Sequence, residues 1–297
     1  MRSMASSPSS KGIAAIVGVG PKLGRSIARK FAHEGYTVAI LARDLGRLSR
    51  FADEIAREEK AQVFAIRIDC SEARSVREAF EGVLSLGFVE VLVYNAYNPA
   101  SLSPTAFTDI PLASFDRSIA VSSSGAFLCA QQVLPGMVER GKGTILFTGC
   151  AASLSGNAGF SELCCGKFAL RALSQCLARE FQPLGVHIAH VIIDGVIGPP
   201  RGPSSWQSAP VGGQQQQQPQ QPINQQQQQQ HSTSGGGVAS ASASVSVETT
   251  MTMKMTKMDP DTLADTYWHL HVQDRCAWSQ EIDLRASYSN PIFRFYQ

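Results

Sequence analysis

Between Gly18 and Gly24 the chain reads Gly18-Val19-Gly20-Pro21-Lys22-Leu23-Gly24, after the β-branched run Ile13–Val17 and before Leu23–His33, whose apolar residues recur at helical spacing. A strand that enters a glycine-rich turn and leaves as a helix aims backbone N–H groups and the positive end of the helix dipole at one point, and a pyrophosphate fits there. A tight turn without a ligand is the plainer reading of the same glycines. The next strand candidate ends Leu41-Ala42-Arg43-Asp44. An acidic residue at that strand end accepts from the ribose of NAD, whereas a basic one accommodates the 2′-phosphate of NADP. Arg43 therefore favours NADP, with NAD second, and Lys22 adds a positive charge nearby; a solvated arginine before a helix is the plainer alternative. Asp69 ends the third strand candidate and is either a partner for an adenine edge or an ordinary helix N-cap.

These residues need a frame that gathers strand ends. Short β-branched runs alternate with longer amphipathic stretches, the pattern of a parallel sheet with crossover helices. Strands are expected at Ile13–Val17, Thr37–Leu41, Val63–Ile68, Val89–Tyr94, Thr144–Thr148 and Val186–Ile193. Helices are expected at Leu23–His33, Leu45–Glu58, Ser75–Leu84, a long region about Phe115–Glu139, and Lys167–Phe181. Asp259-Pro260-Asp261 places an N-cap and a first-position proline before a last helix near Thr262–His271. A short strand near Glu281–Leu284 closes the fold.

Composition bounds the function. The 297 residues carry 26 basic and 24 acidic side chains. Residues 199–258 stand apart: thirteen of the seventeen residues from Gln214 to Gln230 are Gln, and a Gly/Ser/Ala run from Ser232 to Ser246 follows. Such a segment buries too little apolar surface to offset its ordering entropy, so 199–258 is expected to be a disordered insert, and 1–11 a disordered N-terminus. The domain proper is then 12–198 completed by 259–297. The insert holds only Arg201, Lys254, Lys257 and Glu248 as charges, which leaves the remainder balanced, with no electrostatic footprint for nucleic acid. No apolar run reaches the roughly 18 residues of a membrane span, and the start MRSMASSPSSKG has no apolar leader core, so a cytoplasmic place is expected. Seven scattered cysteines without a C-x-x-C pair suit a reducing compartment. The Gln tract suits either a protein partner or passive repeat expansion.

Asn95-Ala96 after the fourth strand, Gly143–Thr148 as the fifth, Lys167-Phe168-Ala169-Leu170 in the next helix and Ile193-Asp194-Gly195 after the sixth strand follow the turn and Asp69 in a fixed order. In that order and spacing the chain resembles the short-chain dehydrogenases/reductases over about 11–198 and, more loosely, 259–297. The tail from Tyr267-Trp268 to Asp283-Leu284-Arg285 resembles an atypical branch. The resemblance implies a doubly wound, Rossmann-type α/β fold of about seven parallel strands with helices on both faces. It implies a dinucleotide held by Gly18, Gly20, Lys22, Leu23, Gly24, Arg43, Asp69, Asn95, Ala96, Lys167 and Gly195. It also implies a homo-oligomer formed through the helices at Phe115–Glu139 and Lys167–Phe181.

In that family a Tyr moves the alcohol proton, a Lys lowers its pKa and holds the nicotinamide ribose, a Ser positions the carbonyl and an Asn holds a relay water. The family Tyr lies four residues before the Lys, where this chain has Leu163. The Ser position, thirteen residues earlier, is Cys150, and the Asn position is Ser122; only Lys167 remains. Leucine has no proton to give, and a positioned general acid is worth roughly 10²–10⁴ in rate. Hydride transfer belongs to the cofactor, so the expectation is an NADP-preferring oxidoreductase acting on a small carbonyl or alcohol by an altered mechanism. The alternative is a catalytically inactive protein of the same fold, a nucleotide-binding sensor or scaffold. Substitute proton donors are Tyr94, Tyr97, Cys150 or His231. Lys22 replaces the family's middle glycine, where it either crowds the phosphates or binds them.

Other candidates carry plainer expectations. His269 and His271 lie two apart on a helix, on different faces, and suit surface or packing roles. His187 and His190 point to opposite sides of a strand. Cys164 and Cys165 read as small buried hydrophobes, and Cys150 as a substrate-positioning group rather than a nucleophile, with Lys167 its one plausible base.

Overall fold

The computed structural model describes residues 11–200 and 257–286, all within one compact unit. The expected disorder of 1–10 and 201–256, and His231 with it, lies outside the described residues. The elements run β1 (Ile13–Val17), α1 (Leu23–His33), β2 (Thr37–Ala42), α2 (Leu45–Glu59), β3 (Val63–Arg67), α3 (Ala73–Ser85), β4 (Val89–Tyr94), α4 (Leu112–Ile119), α5 (Gly125–Arg140), β5 (Gly143–Cys150), α6 (Ser161–Phe181), β6 (Val186–Asp194), α7 (Pro260–His271) and β7 (Glu281–Arg285). The seven strands form one sheet in the order β3-β2-β1-β4-β5-β6-β7, every neighbouring pair parallel. The fold is the doubly wound α/β architecture expected.

Burial explains why the central strands read as unbroken apolar runs. Every residue of β1, β4 and β6 is buried, because helices cover both faces of the sheet, while the edge strands β3 and β7 alternate with exposed positions. Ile13, Ala15 and Val17 of β1 pack with Val76 and Phe80 of α3, Ala130 and Leu134 of α5 and Leu170 of α6. The alternate residues, Ala14 and Ile16, are fully buried on the other face. There α1 packs against α2 and α7.

Three expectations need correction. The long helix about Phe115–Glu139 is instead α4 and α5 joined by a π turn, Ala120–Ser124, whose wider ring interrupts the helical ladder. The helix expected to open at Lys167 begins at Ser161, so Lys167 sits in its second turn. Residues 257 and 258, assigned to the insert, are ordered: Ile197 and Met258 form a parallel bridge. The Asp259 N-cap holds, accepting from Asp261 N at 3.1 Å with Pro260 at the first helical position.

A polar cluster is sealed at the amino-terminal ends of the strands. Glu90 accepts from Gly12 N (3.1 Å) and Tyr36 Oη (3.0 Å) and pairs with Lys142 Nζ (2.8 Å). His271 is not a surface residue: its ring lies between Tyr36 Oη (2.7 Å) and Thr144 Oγ1 (2.9 Å). Burial drives its pKa from 6.5 to about 4, against an upward pull from Glu90. The folded chain keeps the ring neutral where the unfolded chain takes up a proton, so this group's stability is lost as pH falls from 6.5 towards 4. We expect His271 to account for about 2 kcal/mol of lost stability between about pH 7 and pH 5. Urea unfolding of wild type and His271→Gln at both pH values measures it; an equal loss in the two proteins would place the effect elsewhere.

Candidate functional site

The sheet order reverses between β1 and β4, and at that point the carboxyl ends of the strands open a cleft of about 560 Å3. Its turn is built on one glycine. Gly18 has φ +86°, and a Cβ there would lie 2.5 Å from Ala96 N. The left-handed conformation and the close approach of Asn95-Ala96 both require glycine. Asn95 fastens this approach by donating from Nδ2 to Gly18 O at 3.0 Å. Gly24 packs under the turn, where a Cβ would lie 2.9 Å from Val19 Cα, and the Leu23 side chain is buried, so both serve the turn from within. Gly20 faces open space, with nothing within 4 Å of where a Cβ would stand.

Of the residues expected at the dinucleotide, Gly18, Gly20, Arg43, Asp69, Asn95 and Ala96 line this cleft, and Lys22, Lys167 and Gly195 are not on its wall. Lys22 is turned to another part of the chain in this structure. Its φ is −111°, outside the left-handed region, so no glycine is demanded, and its ammonium donates to Ile197 O at 2.6 Å. Gly195 is covered by Met258, whose Sδ would lie 2.7 Å from a Cβ there.

The end of β2 is more basic than expected. Asp44 caps α2, accepting from Arg47 N at 3.0 Å, which leaves Arg43 just outside the helix and Arg47 in its first turn, both on the cleft wall. Arg47 was missed, although a signal exists: a cation in a first turn that contains no acid opposes the helix dipole. Asp69 is not a helix cap, because α3 starts at Ala73 with Glu72 at its N-cap. Its Oδ1 accepts from Ser71 N (3.0 Å) and Ser71 Oγ (2.7 Å), and Arg117 lies 3.4 Å from Oδ2. Burial raises its pKa, but the Ser71 hydrogen bonds, then Arg117 and Arg43, outweigh this and hold the carboxyl low.

The reacting end is assembled but altered. Cys150, at the end of β5, packs against Leu163, Cys164 and Ala152, and Lys167 follows Leu163 by one turn of α6. Cys150, Leu163 and Lys167 thus lie at one end of β5 and the start of α6. Lys167 is buried and donates to Thr148 O at 2.8 Å. Burial lowers its pKa, with Cys150 pulling it up. Thr148 Oγ1 shares a 2.7 Å hydrogen bond with Tyr267 Oη, so α7 braces this strand end. Ser122 lies in the π turn, fully buried beneath α6, where a Cβ on Gly166 would fall 2.8 Å from its Oγ. Tyr94 is excluded as a proton donor: it is fully buried, hydrogen-bonds to Val121 O, and burial carries its pKa far up. Tyr97 is 45% exposed and on the cleft wall.

His187 and His190 do face opposite sides. His187 stacks on Trp278, while His190 pairs with Glu281 at 3.0 Å, and Arg171 grips the same carboxylate through two 2.7 Å bonds. Cys164 is buried as expected, but Cys165 is exposed.

A family model described as short chain dehydrogenase matches residues 12–200. A short-chain dehydrogenase/reductase of Armillaria gallica is 33% identical over 192 residues, covering 62% of this chain and 71% of the relative. Another, of Hericium erinaceus, is 31% identical over 198 residues, 65% of this chain and 77% of the relative. Among solved structures, the alcohol dehydrogenase from the archaeon Thermococcus sibiricus, complexed with 5-hydroxy-NADP, matches with a TM-score of 0.70 at 23% identity over 95% of this chain and 99% of that one, a likeness of fold. With the reversed strand order, the glycine turn at β1 and the family model spanning most of the described residues, this chain belongs to the short-chain dehydrogenases.

Proposed function

We propose that the chain is an NADP-preferring oxidoreductase that acts on a small carbonyl or alcohol with an altered proton path. The observation that carries the cofactor preference is the pair Arg43 and Arg47 on the cleft wall at the end of β2. Asp44 beside them is committed to capping α2, and Asp69 to Ser71 and Arg117. The open space at Gly20 fits a phosphate against the turn. When bound, the dinucleotide supplies the hydride. Gly18, Gly20, Leu23 and Gly24 shape the phosphate turn, Arg43 and Arg47 take the 2′-phosphate, and Asp69, Asn95 and Ala96 line the adenosine side. Lys167 and Gly195 flank the nicotinamide end.

At the reacting end Cys150 takes the position from which a carbonyl oxygen is oriented, and Ser122 is buried under α6. Leu163 moves no proton, so the proton comes from water, Cys150 or Tyr97, and turnover is slow. The inactive alternative, a sensor or scaffold, draws on the same Leu163. Carbonyl-dependent oxidation of NADPH that is lost in Lys167→Met separates the two readings in favour of the enzyme.

Titration calorimetry tests the cofactor site. Arg43→Ala with Arg47→Ala is expected to raise the Kd for NADPH by about 10–100-fold, the worth of charge-assisted bonds to one phosphate, while NADH changes by less than about twofold. Equal losses for both nucleotides would remove the arginines from the 2′-phosphate. For assembly, we assign a homo-oligomer contact to the α5–α6 face, where Phe127 and Phe168 are exposed around a shallow apolar depression lined by Leu128, Ala169 and Leu173. Sedimentation that finds only monomer at micromolar concentration would refute it.

A further inference from the structure

Lys22 bridges the start of α1 and the segment that leaves β6. It is the residue from which α1 starts, yet its ammonium reaches across to the carbonyl of Ile197, on the segment leaving β6. That segment is held to Met258 from both sides: Gly198 N donates to Met258 O at 2.8 Å and Met258 N to Val196 O at 2.9 Å. The two strands of chain lie flush, since a Cβ on Gly195 would meet Met258 Sδ at 2.7 Å and one on Gly198 would meet Lys257 Cβ at 3.3 Å. They are also the described ends between which the sequence carries the Gln-rich insert. One ammonium thus ties the phosphate turn to the paired base of the insert.

The open cleft stops on the same line. Its wall runs over the turn, the ends of β2 and β3, and Asn95–Pro99, whereas Cys150, Lys167 and Gly195 stand outside it. On the dinucleotide reading, the adenosine and phosphate half would occupy this cleft, and the nicotinamide half would extend towards Cys150 and Lys167, past the segment that Lys22 holds. We propose that Lys22 is a latch: it keeps the segment after β6 on the glycine turn, and the nicotinamide half enters only when its ammonium leaves the Ile197 carbonyl. Latch opening couples cofactor binding to the base of the insert. This inference rests on the dinucleotide reading of the cleft.

The test compares NADP+ with adenosine 2′,5′-bisphosphate, which lacks the nicotinamide half, by calorimetry on the full chain. In wild type the two Kd values are expected to agree within about threefold, because the nicotinamide half gains only what opening the latch costs. In Lys22→Gly and Lys22→Met, NADP+ is expected to tighten by about tenfold and the bisphosphate to change by less than about threefold. Thermal melts show whether each variant is folded. Binding of NADP+ in the variants alone would also support the latch. Wild-type preference for NADP+ of about tenfold or more, weakened by Lys22→Met, would overturn it and make Lys22 a plain phosphate ligand. Failure of both ligands to bind wild type and both variants would instead overturn the dinucleotide reading itself.

Discussion

Leu163→Tyr combined with Cys150→Ser is expected to raise carbonyl-dependent oxidation of NADPH by about 10²–10⁴, the worth of one positioned general acid. The geometry for this gain is in place. Cys150 packs against the cluster that holds Leu163, and Lys167 lies one turn further along α6, its amine already directed at this strand end through Thr148 O. Burial lowers the Lys167 pKa, and a phenolate four residues away would pull it back up. The substitution has a cost in packing. Leu163 is 1% exposed among Ala152, Cys164 and Phe160, so a larger ring overpacks the site by about 1–3 kcal/mol. The melting temperature should therefore fall by several degrees while the rate rises. Initial rates over a panel of aldehydes, ketones and quinones measure the gain. A folded double variant that binds NADPH as wild type does, yet turns over none of the panel faster, would show that more than the proton donor is missing.

Asp261→Ala is expected to lower the unfolding free energy by about 3–5 kcal/mol, because it removes one member of a buried ion pair. Arg29 of α1 and Asp261 of α7 meet at 3.0 Å with side chains 3% and 4% exposed, the most deeply buried ion pair among the described residues. The pair joins segments on opposite sides of the insert, and α1 carries the phosphate turn at its start. The loss should thus weaken nucleotide binding as well. Replacing both partners by apolar residues, Arg29→Met with Asp261→Leu, is expected to recover most of the stability, since taking two charges out of water costs much of what their attraction returns. Urea unfolding of the single and double variants tests this; a loss below about 1 kcal/mol for Asp261→Ala would mean that water reaches Arg29.

The two predictions draw on different kinds of information. Leu163, Cys150 and Lys167 were legible through the family resemblance, by counting back from Lys167 at the spacing that family keeps. The Arg29–Asp261 pair was not, as its members are 232 positions apart with the insert between them. Helix boundaries failed for a related reason. The π turn at Ala120–Ser124 and the start of α6 at Ser161 follow from how those segments pack on each other, as at Gly166 against Ser122, and apolar periodicity does not register such contacts.

By itself the sequence determined the strand and helix alternation, the glycine turn, the basic end of β2 and the absence of the family's tyrosine, because each is a local property of residue type and spacing. Tertiary structure alone decided that Tyr94 is sealed in the core, that Arg47 joins Arg43 on the cleft wall, that His271 is held in a buried polar cluster, and that Lys22 reaches Ile197. Those outcomes depend on which distant segments share space, and a long side chain takes whichever partner the fold places within its reach.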